Sequence, residues 1–429
     1  MTRPLAFVNA RLVDPASGYD GPGALIVTEG VIADVAHAPG FGSLSADVEV
    51  IDAHGALLIP GLIDIRVKTG EPGAEPKETL KSAALAAAAG GVTTIVVQPD
   101  THPVMDEPSV VDFILRRARD IELVHVYPAG AATKGALGQR MAEIGLMHEA
   151  GCLYITDADR PIVDSKVLRR VLSYAKAFGV PVAHRPADPW LSAGAVASEG
   201  EFAARLGLPS APAIAERIML DRDLALVELT GAPFIVDQIT TAAAMESLRR
   251  GIDRGLPVTA TTSINHLSFN EIDIGDYRTF CKLDPPLRSE DDRQAVIDAV
   301  ASGLIQVIVS AHAPAPAEDK RLPYDEAAPG AVGLQTLLAA LLAFHHEGRI
   351  PLIDLIRTVT SAPANLLGLP AGRLTKGAPA DLVLCDLNAP VVIQADKLIS
   401  KSKNSPFDGR RLQGKVLRTV VDGRTVYSV

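Results

Sequence analysis

Between residues 57 and 360 the chain repeats one pattern: a short apolar, β-rich segment, a break, then a stretch of helical periodicity. The apolar segments end near Lys68, Asp100, Ala129, Asp159, Arg185, Thr240, Ser263 and Pro314. Helical patterns follow several of them, at 78–89, 109–119, 167–178 and 334–346. Alternation of this kind restricts the chain to parallel-sheet architectures of the α/β class, with helices as the crossovers. Eight units predict a closed (β/α)8 TIM-like barrel. An open doubly wound sheet is the alternative, since periodicity does not prove closure. No GxGxxG follows a strand and no GxxxxGK[ST] occurs, so neither dinucleotide nor P-loop chemistry is signalled.

The two ends read differently. Residues 1–56 hold short strands at 6–13 and 24–27, split by Asp-Pro and Gly-Pro turns, too little to close a core alone. Strand patterns at 381–385, 416–421 and 425–429 offer the missing partners. One small β-sandwich, composed of residues 1–56 and 361–429, is therefore expected beside a barrel of residues 57–360. A hydrophobic content of 48% supports a core of that size. The formal charge of -10 argues against nucleic acid and anionic membrane as partners. Cys152, Cys281 and Cys385 lie far apart with no CxxC, which suits a reducing compartment. A strand-like segment follows Met1-Thr2-Arg3-Pro4, and no apolar run approaches the roughly 18 residues of a membrane span. A cytoplasmic protein is the expectation.

In a barrel, chemistry sits at the C-terminal strand ends. The first end reads Asp64-Ile65-Arg66-Val67-Lys68-Thr69-Gly70-Glu71-Pro72-Gly73, and the second Gln98-Pro99-Asp100-Thr101. The fourth is Thr156-Asp157-Ala158-Asp159-Arg160-Pro161, and the fifth Ala183-His184-Arg185-Pro186. The sixth is Asp237-Gln238-Ile239-Thr240-Thr241, and the eighth Ser310-Ala311-His312-Ala313-Pro314, with Asp284-Pro285-Pro286-Leu287-Arg288 between them. This series resembles the cyclic amidohydrolases, dihydroorotases in particular, which write Asp-x-His-x-His then Leu-Arg-Glu-Pro-Gly, Met-Pro-Asn-Thr, Ser-Asp-Asp-Gly-x-Pro, Ala-His-Cys-Glu, His-Ile-Ser-Thr and Thr-Asp-His-Ala-Pro. The likeness extends through Gly90-Gly91-Val92-Thr93-Thr94, Ala203-Ala204-Arg205-Leu206-Gly207-Leu208 and Lys376-Gly377-Ala378-Pro379-Ala380-Asp381.

The resemblance implies a zinc site, but the chemistry at its positions differs. Arg66 and Lys68 stand at the paired histidines, Gln238 at the strand-six histidine and Ala311 at the catalytic aspartate. Gly70 stands at the family's arginine. Asp157 and His184 match ligand residues, although the second acid of the strand-four pair is Ala158. Protonated Arg and Lys cannot ligate a cation, and a neutral amide is a poor transition-metal ligand. Two ligands are too few for a catalytic zinc, which takes three from the protein. Asp100, Asp284 and His312 match substrate-side positions, with Asp replacing Asn at the first two. Each residue also has a plain reading: solvated strand-end charges, turn residues, a hydrogen-bonded structural histidine.

These observations lead to several expectations. The chain is a dihydroorotase-like protein of pyrimidine biosynthesis with a dismantled metal site, holding no zinc and carrying no catalytic residue. Arg66 or Lys68 pairs with Asp157 in place of the metal's charge. The resemblance implies a structural or regulatory role beside aspartate carbamoyltransferase, and self-association is expected as well. The alternatives are an active cyclic amidohydrolase with an altered site, a metal-free activity using His184, His312 and nearby Asp residues, and a small-molecule binding module.

Overall fold

A computed structural model describes residues 3–429. Barrel strands one to three, Leu62–Val67, Val92–Val97 and His125–Pro128, pair in parallel. Strands five to eight, Val182–His184, Phe234–Val236, Val258–Ser263 and Val307–Val309, form a second parallel run. Strand four is reduced to bridges, with Ile155 pairing Gly130 on one side and Val182 on the other. His312, just beyond strand eight, bridges Val67 of strand one, and the Lys68 N–H donates to its carbonyl at 2.8 Å. The circle closes, so the architecture is the barrel and not the open sheet.

Ile63, Val96, Tyr154, Ala183, Ile235 and Val309 come from six different strands and meet in one buried cluster at the barrel's centre. A larger cluster lies between the strands and the helices outside them. The anticipated helices form as Leu80–Ala89, Pro108–Ile121, Ser165–Ala177 and Leu337–His346. The first starts where Thr79 and Ser82 make a reciprocal capping box, satisfying amides that the helix leaves open.

Both chain ends join one hydrogen-bonded path of strands, closed round Phe7, Leu12, Leu25, Ile32, Leu58 and Leu382. The expected boundaries shift in two places. Leu57–Pro60 lies between Leu5–Asp14 and Leu382–Val392 in this terminal sheet, so the barrel begins after Gly61 rather than at residue 57. The crossing is tight, since a Cβ on Gly61 would lie 2.1 Å from Thr93 Oγ1. Helix Ser361–Leu367 packs against barrel strand one, so residues 361–367 belong with the barrel and not with the sandwich. No helix among the described residues is long and apolar enough to cross a membrane.

Candidate functional site

A cavity of about 260 Å³ opens at the C-terminal strand ends. Its charged lining includes Arg66, Lys68, Asp100, Asp159 and Asp284, and Gln238 and Ala311 also face it. The pairing of strands one and two is irregular between Asp64 and Val67, which carries Arg66 into this mouth. Its Nε donates to Asp237 Oδ2 at 2.8 Å and Oδ1 at 3.0 Å, and one terminal nitrogen donates to Asp159 Oδ1 at 2.6 Å. With its amide oxygen turned inward, Gln238 accepts from the same guanidinium at 3.0 Å. Lys68 Nζ lies 2.6 Å from Asp100 Oδ2 and also binds Asp159. Arg185 grips Asp284 with both terminal nitrogens, one of them at 2.8 Å, and stands 3.7 Å from Asp159.

The result is an interlocked set of three cations and four carboxylates. Burial works against the Arg66 charge, but Asp237 and Asp159 outweigh it and raise its pKa. Lys68 follows the same rule, with Asp100 and Asp159 overcoming desolvation. Burial alone would raise Asp159, yet Lys68, Arg66 and Arg185 hold it well below the usual carboxylate range. All three stay charged at neutral pH.

The residues that match the family by identity lie elsewhere. The expected pair to Asp157 does not form. Asp157 accepts from the Thr133 N–H at 2.9 Å and the Thr133 hydroxyl at 2.5 Å, and the cations meet Asp159 instead. The physical reason is Ala158, whose φ of 54° breaks the two-residue alternation that would give its neighbours a common face. His184 spends both ring nitrogens in the wall: Nδ1 contacts Asp223 Oδ2 at 2.6 Å and Nε2 accepts from the Ile162 N–H at 2.8 Å. His312 is also buried in the wall, its Nδ1 accepting from the Gly333 N–H at 3.2 Å and its Nε2 3.6 Å from Glu78. It does not line the cavity, contrary to its expected place on the substrate side. Burial disfavours the Glu78 charge, but His312 and the hydroxyls of Ser400 and Ser82 leave its carboxyl below the ordinary value. Asp100 and Asp284 do line the cavity, as anticipated, and each is tied to a cation.

Ala158, Gln238 and Ala311 share positive φ values of 54°, 57° and 51°, a strained conformation for residues with a Cβ. The strand ends thus keep their special backbone while presenting two methyls and an amide. At Gly70, φ is +74° and a Cβ would lie 2.6 Å from the Ala74 carbonyl, so this backbone has no place for an arginine side chain. The donor set does not fit zinc. Both strand-one side chains are cations fixed to acids, the imidazole of His184 is fully used, and Asp157 faces Thr133.

Sequence reasoning missed Asp159, Asp237 and Arg185, although each sits beside a residue it singled out. Matching strand-end cations against strand-end acids was the available signal. It also missed Ser263, Asn265 and His266, which line the cavity. Ser263 Oγ lies 2.7 Å from His266 Nδ1, and His266 Nε2 lies 3.1 Å from the Pro285 carbonyl. Burial, with Arg288 nearby, pushes the His266 pKa down to about 3, so this imidazole is neutral.

Residues 55–244 match the family model described as dihydro-orotase-like, and residues 331–427 match that of the amidohydrolase family. A dihydroorotase of Anaeromyxobacter dehalogenans is 39% identical over 429 residues, covering 100% of this chain and 98% of the relative. A dihydroorotase of Anaplasma phagocytophilum is 40% identical over 428 residues, covering 99% and 95%. Among solved structures, the L-hydantoinase (dihydropyrimidinase) of Arthrobacter aurescens superposes with a TM-score of 0.87 at 24% identity, over 99% of this chain and 96% of its own. That likeness shows the fold, a TIM barrel with a β-sandwich. With relatives this similar along its whole length, the chain belongs to the dihydroorotase-like amidohydrolase family.

Proposed function

We propose that this chain is a non-hydrolytic dihydroorotase-family protein of pyrimidine biosynthesis that works as a structural or regulatory partner of aspartate carbamoyltransferase. One observation carries the proposal. Arg66 and Lys68 stand at the strand-one metal positions and are ion-paired with Asp237, Asp159 and Asp100, so the chain's own cations supply positive charge there without a dication. A barrel kept without hydrolysis has its simplest use in binding. Exposed apolar side chains on the loop that follows strand five and on the helix it is tied to support a protein contact. Trp190 is 73% exposed and Leu191 41%, on a loop tied through the Asp188 N–H to the Ala215 carbonyl, beside exposed Ile214 and Ile218.

The test combines elemental analysis, interconversion of carbamoyl aspartate and dihydroorotate, and co-expression with the host's aspartate carbamoyltransferase. No stoichiometric zinc, no turnover and co-elution at a fixed ratio are expected, with Trp190→Asp weakening co-elution while leaving the chain folded. Tightly held zinc with chelator-sensitive turnover overturns the non-hydrolytic role, and separate elution at micromolar concentration overturns the partnership. A second reading, an active cyclic amidohydrolase with an altered site, draws on the full-length similarity to proteins named dihydroorotase. Turnover that survives chelation is its signature.

A further inference from the structure

One convergence of ligand atoms lies at the other end of the barrel from the cavity. His125 is the first residue of strand three, so it stands at the N-terminal face. Asp381 directly precedes Leu382–Val392 of the terminal sheet, and Asp422 sits in the turn between that sheet's last two strands, Arg411–Val421 and Arg424–Ser428. One ligand atom from each lies within 4.8 Å of the other two, and among the described residues no other three His, Cys, Asp or Glu side chains meet in this way.

The backbone aims both acids. The Asp422 N–H donates to Asp381 Oδ1 at 3.0 Å, and Oδ2 lies 3.1 Å from His125 Nε2. Such an outer bond fixes a carboxylate for ligation. Asp422 and Gly423 take φ of 47° and 71°, the pair of left-handed residues that a tight hairpin turn requires, and Asp422 Oδ1 comes to 3.7 Å from the same nitrogen. An ordinary ion pair accounts for one of these acids and not the other. Nε2 carries at most one proton, which the buried Asp381 receives, and 3.7 Å is too long for a hydrogen bond. Arg424, two residues on, is directed at Glu122, 3.5 Å away. One imidazole facing two carboxylates is instead the donor set of a divalent cation. Separations of 3.1 and 3.7 Å bracket the roughly 3.3 Å between neighbouring donors of a tetrahedral zinc with bonds of about 2.0–2.1 Å. A groove of about 690 Å³, lined by His125, Tyr127, Asp422 and Arg424, brings solvent to the fourth position.

We propose that His125, Asp381 and Asp422 bind one zinc-class divalent cation that clips barrel strand three to the terminal sheet. Asp381 is 256 residues from His125 and 41 from Asp422 along the chain, so the unfolded chain holds no such site and the ion stabilises the fold. Three protein ligands, one of them half exposed, make an exchangeable site that a chelator strips, unlike a tightly held ion at the mouth. The inference is independent of the non-hydrolytic reading, since no residue of the cavity takes part.

The full-length protein is stripped with chelator, desalted and titrated with Zn²⁺, with Mg²⁺ as the control, by calorimetry and thermal shift. The pH is slightly alkaline, since ligation needs the neutral imidazole. Binding of one equivalent of Zn²⁺ at micromolar concentration, with a saturable rise in melting temperature, is expected. No response is expected to Mg²⁺, which selects oxygen ligands. Asp422→Asn, which the hairpin turn accepts equally well, and His125→Gln each weaken zinc binding at least tenfold. Asp100→Asn, at the mouth, leaves it unchanged. Absence of zinc binding at micromolar concentration overturns the inference, as does binding that is indifferent to Asp422→Asn or His125→Gln, or that is weakened by Asp100→Asn.

Discussion

The mouth of the barrel and the wall behind strands four, five and eight make opposite use of similar residues. In the wall, Asp157, His184 and His312 keep the identities expected of an amidohydrolase, yet each is turned to a neighbour: Thr133, Asp223 and Ile162, or Gly333 and Glu78. In the mouth the identities depart from the family pattern, and the side chains meet in one interlocked set of ion pairs. Residue identity at a strand end therefore says less than backbone direction. Asp157 and Asp159 are two positions apart, and the left-handed Ala158 between them sends one to the wall and the other to the cavity.

The largest effect is expected where the mouth is most buried. Arg66→Ala removes the shared partner of Asp237 and Asp159 and leaves the buried Asp237 carboxylate without its cation, while Asp159 keeps Lys68 and Arg185. Breaking one side of such a pair typically costs about 3–5 kcal/mol. Urea unfolding should show a lowered midpoint with an unchanged slope. An unaltered midpoint would mean that the ion pairs do not hold the mouth together, and the contrast with the wall would fail.

Asp64 lies beneath both regions. Its Oδ1 accepts from the Arg66 N–H at 3.2 Å and the Ser310 N–H at 3.3 Å, while Oδ2 is buried without a partner. Burial raises its pKa to about 6, with hydrogen bonds to Ser310 and Arg66 opposing. The folded state thus binds this proton more tightly than the unfolded chain does. The associated stability is fully present below about pH 4, the unfolded pKa, and is lost as pH rises through about 6. Roughly two pKa units correspond to about 3 kcal/mol at neutral pH. Asp64→Asn, which keeps the accepting oxygen, should therefore gain stability over the parent between pH 4 and pH 6 and hold that gain above. A difference flat with pH would show that Asp64 is not held as a buried acid.

A wall substitution should act on stability alone. His184→Gln disturbs contacts to Asp223 and to the Ile162 N–H, and unsatisfied buried groups cost about 1–3 kcal/mol. Metal content, read beside the unfolding curve, should not move. A large change in it would return His184 to the site.

Much of the scaffold was legible because strand patterns and breaks are local signals. Seven of the eight expected barrel strands form and end within about five residues of their expected places, the fourth is reduced to bridges at Ile155, and the four anticipated helices form. Leu57–Pro60 was misassigned because an apolar run before Pro60-Gly61 reads equally well as the lead-in to strand one or as a strand of its own sheet. The site was legible as a set of positions but not as a set of contacts. Period-two reasoning assigns faces only while the backbone stays extended. Ala158, Gln238 and Ala311 leave that conformation without a glycine to announce it. Charge complementarity carried the remaining information, since the acids beside Ala158 and Gln238 proved to be the partners of the strand-one cations.

The smallest effect is expected at the rim, between Lys68 and Asp100. Their side chains are 20% and 34% exposed, and Lys68 keeps Asp159 when Asp100 is neutralised. Solvent-exposed pairs are worth about 0–1 kcal/mol and weaken with salt. Asp100→Asn should therefore shift the unfolding midpoint by less than about 1 kcal/mol, with a smaller difference at high ionic strength. It neutralises a carboxylate that lines the cavity while sparing the buried pairs of Arg66, so the cost should stay well below that of Arg66→Ala. A stability loss as large as that of Arg66→Ala would show that the rim and the buried cluster are one unit, and the gradient from core to mouth would disappear.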